Sequence, residues 1–341
     1  MRISNFARAL AFAVVSTATG SFAQAADISG AGATFPFPIY AKWADAYKKD
    51  TGNGLNYQSI GSGAGIKQIR AKTVTFGATD APLEPKELDK DGLAQWPMVM
   101  GGIVAVVNLE GVKPGDIHID GPTLAEIYLG NITKWNDPKL KTLNPNLNLP
   151  DLPIVPIHRA DGSGTTFNYT YYLAEVSPGW KDKVGVSTTV DWPGGIGAKG
   201  NDGVSNNVAT TKGAIGYVEY AYAKQNKLTY ASMVNKVGKV VEPTLETFQA
   251  AAANADWAHA PGFYLILANQ PGDKSWPMTA ATFILMYKNP PNVAASNDAL
   301  AFFRWAYEKG GQMASDLDYI PMPDNVVKLV EAMWAKDIKQ K

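Results

Sequence analysis

The chain of 341 residues contains no cysteine. Disulfides, iron–sulfur clusters, thiolate zinc sites, cysteine nucleophiles and a lipoprotein-type anchor are therefore not expected. Histidine is almost as scarce: His118, His158 and His259 lie far apart and none stands in an H-E-x-x-H context. A metal centre is not expected, nor is a cofactor. Charge of one sign is also missing, since 31 basic residues balance 31 acidic ones. That balance argues against a general binder of nucleic acid or anionic membranes. No stretch reaches the roughly 18 apolar residues of a membrane span. There is no P-loop: Gly194 to Gly200 (GGIGAKG) is glycine-rich and holds a lysine, but its spacing is wrong, and it reads as a loop on the second of two lobes. What remains, 46% apolar and 18% charged, is globular and long enough for about two domains.

The first 25 residues read as an address. Arg2 and Arg8 form a basic start, Ala9 to Val15 a short apolar core, and Ala23-Gln24-Ala25 a small-x-small cleavage pattern. Residues 1–25 are expected to be an export signal, and the product to be a soluble protein of the periplasm. Beyond it, arginine becomes rare: Arg70, Arg159 and Arg304 are the whole complement.

Strand-like and helical patterns then alternate, which predicts an α/β architecture. Buried strands are expected at Gly101–Asn108, Ala214–Tyr220 and Thr279–Tyr287. Helices are expected near 37–49, 66–72, from Pro85, from a capping box at Thr123-Leu-Ala-Glu126, and over 166–175, 297–309 and 325–336. Trp96-Pro97-Met98 and Trp276-Pro277-Met278 echo one another, each ahead of a buried run. A chain crossing twice between two lobes would have two such neighbouring segments. The expected division is residues 26–100 with 278–341 for lobe 1, and 101–277 for lobe 2.

Four small-residue turns precede four helical patterns: Gly30 to Pro36 (GAGATFP), Gly61 to Gly65 (GSGAG), Gly77 to Pro82 (GATDAP) and Arg159 to Thr165 (RADGSGT). A helix start leaves backbone N–H groups without intrahelical partners, and its dipole favours an anion by roughly 0.3–1 kcal/mol. Any one such turn equally describes an ordinary capped helix. Four together, one with a rare arginine, point to a small oxyanion held without a basic surface. Arg159 offers a planar fork of donors, and Asp161 can hold that fork in place. Asp80 is either a helix cap or the acceptor of a proton carried by the anion. Phosphate near neutral pH has such a proton and sulfate does not, so an acidic residue in the cage would discriminate between them.

At these residues the chain resembles the periplasmic phosphate-binding proteins of phosphate-specific ABC importers. The matching words are GAGATFPFPIYAKWAD (30–45), IGSGAGIKQI (60–69), TFGATDAPL (75–83), RADGSGTTFNYT (159–170), GGIGAKGNDGVS (194–205) and GAIGYVEYAYAKQNKL (213–228). The resemblance runs through essentially all of the chain after the signal. It implies a two-lobed, type II periplasmic-binding-protein fold, each lobe a mixed sheet flanked by helices, closing on one phosphate. It places ligand contacts on Thr34, Phe35, Ser62, Asp80, Arg159, Ser163, Gly164 and Thr165, with Asp161 supporting Arg159. It implies no catalysis, no metal and no cofactor, a monomer, and permease subunits of an importer as partner. The sequence departs from the family at Gly63-Ala64, where relatives often show Ser-Gly, and at Thr75 and Thr79, where they often show Asp and Ser. Two other readings remain: an exported hydrolase with Ser62 or Ser163 as nucleophile near His158, and an exported sugar binder using some of the nine tryptophans.

Overall fold

The computed structural model of the protein describes residues 28–341. The expected export signal at residues 1–25 lies outside the described residues. Among these, no helix is long and apolar enough to cross a membrane.

The chain opens with strand–helix units: β1 (Ile28–Gly32), α1 (Phe37–Thr51), β2 (Leu55–Ser59), α2 (Ser62–Arg70), β3 (Phe76–Thr79) and α3 (Pro85–Asp91). A long strand, β4 (Leu93–Val107), follows. The central part comprises β5 (His118–Asp120), α4 (Gly121–Tyr128), α5 (Pro138–Leu143), β6 (Val155–Arg159), α6 (Gly164–Val176), α7 (Pro178–Lys183), β7 (Ile196–Ala198) and α8 (Gly200–Thr210). It continues through β8 (Ala214–Glu219), α9 (Tyr220–Gln225), β9 (Thr229–Tyr230), β10 (Ser232–Val234), β11 (Val240–Val241) and α10 (Leu245–Ala252). The chain then returns through β12 (Thr279–Tyr287), α11 (Val293–Lys309), α12 (Gly311–Ser315), β13 (Ile320–Pro321) and α13 (Asp324–Asp337).

One sheet joins most of these strands in the order β2-β1-β3-β12-β4-β8-β6-β7, with β13 and β9 on β4. Pairs β1–β2, β1–β3, β6–β7 and β6–β8 are parallel. The centre, β3–β12–β4–β8, is antiparallel. All fifteen residues of β4 are buried, so the strand reads as a continuous apolar run rather than an alternating one.

β4 ties the two ends of the sheet together. Its residues up to Gly102 pair with β12, and from Ile103 onward it pairs with β8. At the change of partner the Ile103 amide donates to the Met278 carbonyl at 2.8 Å, and the Trp276 indole donates to the Ile103 carbonyl at 2.8 Å. Trp276-Pro277-Met278 therefore lies beside this change of partner. Trp96-Pro97-Met98 lies inside β4, where Met98 falls at a register shift opposite Thr282 and Phe283. A bulge is where a strand tolerates a proline, because the missing N–H breaks no ladder bond. The strand expected at 101–108 thus begins eight residues earlier, at Leu93.

The helix expected from Thr123 starts at Gly121 instead. Asp120 is its cap, accepting from the Thr123 amide at 2.8 Å, so Thr123 is a helical residue. Eight tryptophans are buried, and Trp192 stacks on His158 with ring centroids 4.7 Å apart. Core packing consumes the surface that a stacking sugar site would need.

Candidate functional site

Parallel strands in both halves of the sheet end at the same place, and ligands in such sheets bind beyond the carboxyl ends of strands. β1 leads to Thr34 and Phe35, β2 to Ser62, β3 to Asp80, β6 to Arg159 and Asp161, and β7 to Gly200 and Asn201. Thr34, Phe35, Ser62, Asp80, Arg159, Ser163, Thr165 and Asn201 are all at most 3% exposed.

Two glycines let the two sides meet. Gly61 has φ +94°, and a Cβ there would lie 2.4 Å from Asp161 Oδ2. A Cβ on Gly164 would lie 2.5 Å from Ser62 Oγ and 2.7 Å from Asp80 Cβ. Side chains at either position would hold the halves apart. Next to them the Gly63 amide donates to the Gly162 carbonyl at 2.9 Å. Gly63, one of the departures from the family, thus serves the approach. Thr79 is occupied with the backbone of Ala81, and Thr75 with Ser29, so neither enters the site.

Ser62 Oγ accepts from two amides, Asp80 N at 3.2 Å and Gly164 N at 3.0 Å. Its own proton stays free to donate. Ser163 caps α6, accepting from the Thr166 amide at 3.0 Å. Arg159 donates from Nε to Asp161 Oδ1 at 2.7 Å and from a terminal nitrogen to Asp161 Oδ2 at 2.5 Å. Its other terminal nitrogen reaches Thr165 Oγ1 at 3.4 Å. Burial pushes the Asp161 carboxyl up, but the Arg159 bonds and charge and the Gly200 amide outweigh it and hold the group below the usual range. The pair presents Arg159 as an oriented, charged fork.

Asp80 is the unusual member. It is 1% exposed, and neither carboxyl oxygen has a hydrogen-bond partner among the described residues. Burial pushes its pKa up to about 7; the neighbouring Thr282 hydroxyl, the Arg159 charge and the Ser62 hydroxyl act the other way. The capping reading of Asp80 is excluded, because α3 begins at Pro85 with Glu84 in the cap position. The third turn therefore supplies an acid rather than a helix start. Asn168, from α6, fixes Asp80 by donating to its backbone carbonyl at 2.7 Å.

A fifth strand–helix junction belongs to the site and was missed as such. GGIGAKG, expected as a loop of the second lobe, contains β7 and runs through Lys199 into the first residue of α8. Gly200 N donates to Asp161 Oδ1 at 3.0 Å, and Asn201 Nδ2 donates to Thr34 Oγ1 at 2.7 Å and Thr165 Oγ1 at 3.3 Å. The signal was present, since small residues between a strand and a helix are the pattern of the other turns. Tyr222 was also missed: its hydroxyl donates to the Thr34 carbonyl at 2.6 Å. Nothing local in the sequence marks it.

The arrangement offers one oriented cation, several hydroxyls, the starts of α1, α2, α6 and α8, and one acid of raised pKa. That set can hold a small, partly protonated oxyanion out of water. It is poorly equipped for nucleophilic catalysis. Ser62 Oγ is engaged by two amides, Ser163 Oγ by its cap, and the His158 ring lies against Trp192 with Nδ1 3.2 Å from the Arg159 carbonyl. Two surface clefts flank Trp257 and share no residue with the site.

Residues 17–309 match the family model described as PBP superfamily domain. The chain is 52% identical to "Phosphate-binding protein PstS" of Haemophilus influenzae, covering 96% of this chain and 98% of that one. Its fold matches the structure of a high affinity periplasmic phosphate-binding protein, PfluDING, bound with phosphate: TM-score 0.72, 20% identity, 90% of this chain and 93% of that one. The phosphate binding protein of Stenotrophomonas maltophilia matches with TM-score 0.67 and 19% identity, over 91% of this chain and 94% of that one.

Proposed function

The chain belongs to the PstS phosphate-binding family within the PBP superfamily, and from that premise we propose that it binds one inorganic phosphate and delivers it to an ABC-type import permease. The observation that carries the reading is the buried, unpartnered carboxyl of Asp80 beside the Arg159–Asp161 pair. A carboxyl in an anion cage is repulsive unless the anion brings a proton to it. Hydrogen phosphate does; sulfate does not. In this reading Thr34, Phe35, Ser62, Arg159, Ser163, Gly164 and Thr165 supply donors, Asp80 accepts the phosphate proton, and Asp161 keeps the Arg159 fork in plane. Gly164 and Ser62 are also bonded to each other, so the ligand and closure share those groups.

Closure follows from the sheet. Residues 28–100 with 278–341 form one lobe and 101–277 the other, hinged where β4 changes partner beside Met278. Phosphate docks on the Thr34, Ser62 and Asp80 side, and the Arg159 and Asn201 turns close over it. Exclusion of water then strengthens each charge-assisted bond. The protein acts as a soluble periplasmic monomer, exported by residues 1–25, and performs no catalysis; the importer's other subunits supply the energy.

Calorimetric titration of phosphate-stripped protein tests this. One-to-one phosphate binding with sulfate ignored is expected between pH 5 and 8. Equal binding of both anions would remove the role given to Asp80. Turnover of phosphate esters by the pure protein would overturn the non-catalytic reading.

A further inference from the structure

Behind the Thr34–Phe35 turn lies a buried carboxyl that the binding scheme does not use. Glu219, the last residue of β8, is fully buried. Its Oε2 accepts from the Ala221 amide at 2.9 Å and lies 2.7 Å from the Tyr319 hydroxyl. That hydroxyl also lies 2.7 Å from the Phe35 carbonyl oxygen. A phenol has one proton, and a carbonyl has none. Two short oxygen–oxygen contacts at Tyr319 therefore require a second proton, and the available carrier is Glu219. With the acid neutral, Tyr319 donates to Phe35 and accepts from Glu219.

We propose that Glu219 is a protonated positioning residue, which through Tyr319 fixes the Phe35 carbonyl and so aims the Thr34–Phe35 turn at the ligand; this rests on the phosphate-binding reading above. Independent contacts agree. The Glu219 amide donates to Asn201 Oδ1 at 3.0 Å, and Asn201 in turn donates to Thr34 Oγ1. With Tyr222 on the Thr34 carbonyl, the turn is gripped at both carbonyls and at its hydroxyl. The other oxygen, Glu219 Oε1, is buried with no partner among the described residues, a position that a neutral acid occupies at far less cost than a carboxylate. Burial pushes the Glu219 pKa well up, against the Tyr319 and Ala221 bonds. The charged and titratable groups around it are Tyr319 and Asp318 on the C-terminal segment and Tyr222 on α9. Asp318 is itself paired with Lys224 at 2.6 Å.

Infrared spectroscopy at neutral pH reads the proton directly. The measurement is made on the Asp80→Asn protein, which removes the other buried acid of raised pKa, and on the Asp80→Asn/Glu219→Gln double variant. A protonated-carboxyl stretch is expected in the first and absent from the second. No such band in Asp80→Asn, or the same band in both, overturns the proposal. Phosphate titration supplies the functional arm. Glu219→Gln, whose amide N–H can replace the acid O–H toward Tyr319 but cannot accept from the Ala221 amide, should weaken binding only a few-fold, whereas Tyr319→Phe should lose about tenfold, the scale of one buried hydrogen bond. A loss in Glu219→Gln as large as in Tyr319→Phe overturns the neutral state. Should the parent protein fail to bind phosphate, the proposed function falls, while the infrared result still decides the state of Glu219.

Discussion

At the scale of single residues, the site works by leaving one acid unpaired and pairing another. Asp80 has a folded-state pKa of about 7 against an ordinary 3.8. The folded, ligand-free protein therefore holds this proton more tightly than the unfolded chain. The stabilisation is fully present below about pH 4 and is lost as pH rises through 7. Denaturation of stripped protein at pH 5 and pH 8 should show it more stable at the lower pH, and Asp80→Asn should reduce that difference, Glu219 contributing the remainder. The same substitution should relax discrimination against sulfate by tenfold or more, roughly one hydrogen bond to a charged group; unchanged selectivity in competition titrations would contradict the role. Arg159→Ala should weaken phosphate binding by at least about a hundredfold, because it removes the fork and leaves Asp161 an uncompensated charge. Arg159→Lys should recover only part, since an ammonium cannot engage Asp161 through two parallel bonds.

At the scale of elements, turns that look like helix caps in isolation become a site because parallel strands of both halves end together. The glycines mark how closely. Gly164→Ala places a methyl within 2.7 Å of both Ser62 and Asp80. It should lower phosphate affinity at least tenfold while changing the melting temperature of stripped protein little, since an open form accommodates the methyl. A calorimetric titration and a thermal melt on the same sample separate the two effects. Much here was readable from sequence. The turn before α6 showed its arginine but not its cap, since the helix expected from 166 begins at Gly164 behind Ser163, while β12 was bounded correctly from its apolar run. The β7–α8 turn was visible but unassigned, because glycine and lysine say nothing about which side of a sheet a loop faces. The cap of α4 was misplaced by three residues because Asp120 and Thr123 compete for it, and only the backbone decides.

At the scale of the whole molecule, β4 is the long buried element that pairs with both halves of the sheet. Phosphate should compact the stripped protein by closing these halves about β4 and the Met278 segment. Small-angle scattering should show a smaller radius of gyration with phosphate and no change with sulfate; equal radii in both anions would contradict hinge closure. Ligand linkage should also raise stability, by about 2.7 kcal/mol at a hundredfold excess over Kd.

Composition and local pattern sufficed, by themselves, to exclude thiol chemistry, to make a histidine–metal site and a membrane span unexpected, and to announce α/β units whose helices begin with small-residue turns. These are local properties, carried by residue type and by spacing along the chain. Local pattern could not say whether Asp80 caps a helix or stands bare, that Asn201 and Tyr222 reach Thr34, or that Tyr319 and Glu219 share a proton behind Phe35. Those contacts join residues 100 to 284 positions apart, or turn on where a helix starts. Burial, and with it the protonation of a carboxyl, is a property of the packed molecule, so only the tertiary structure decided them.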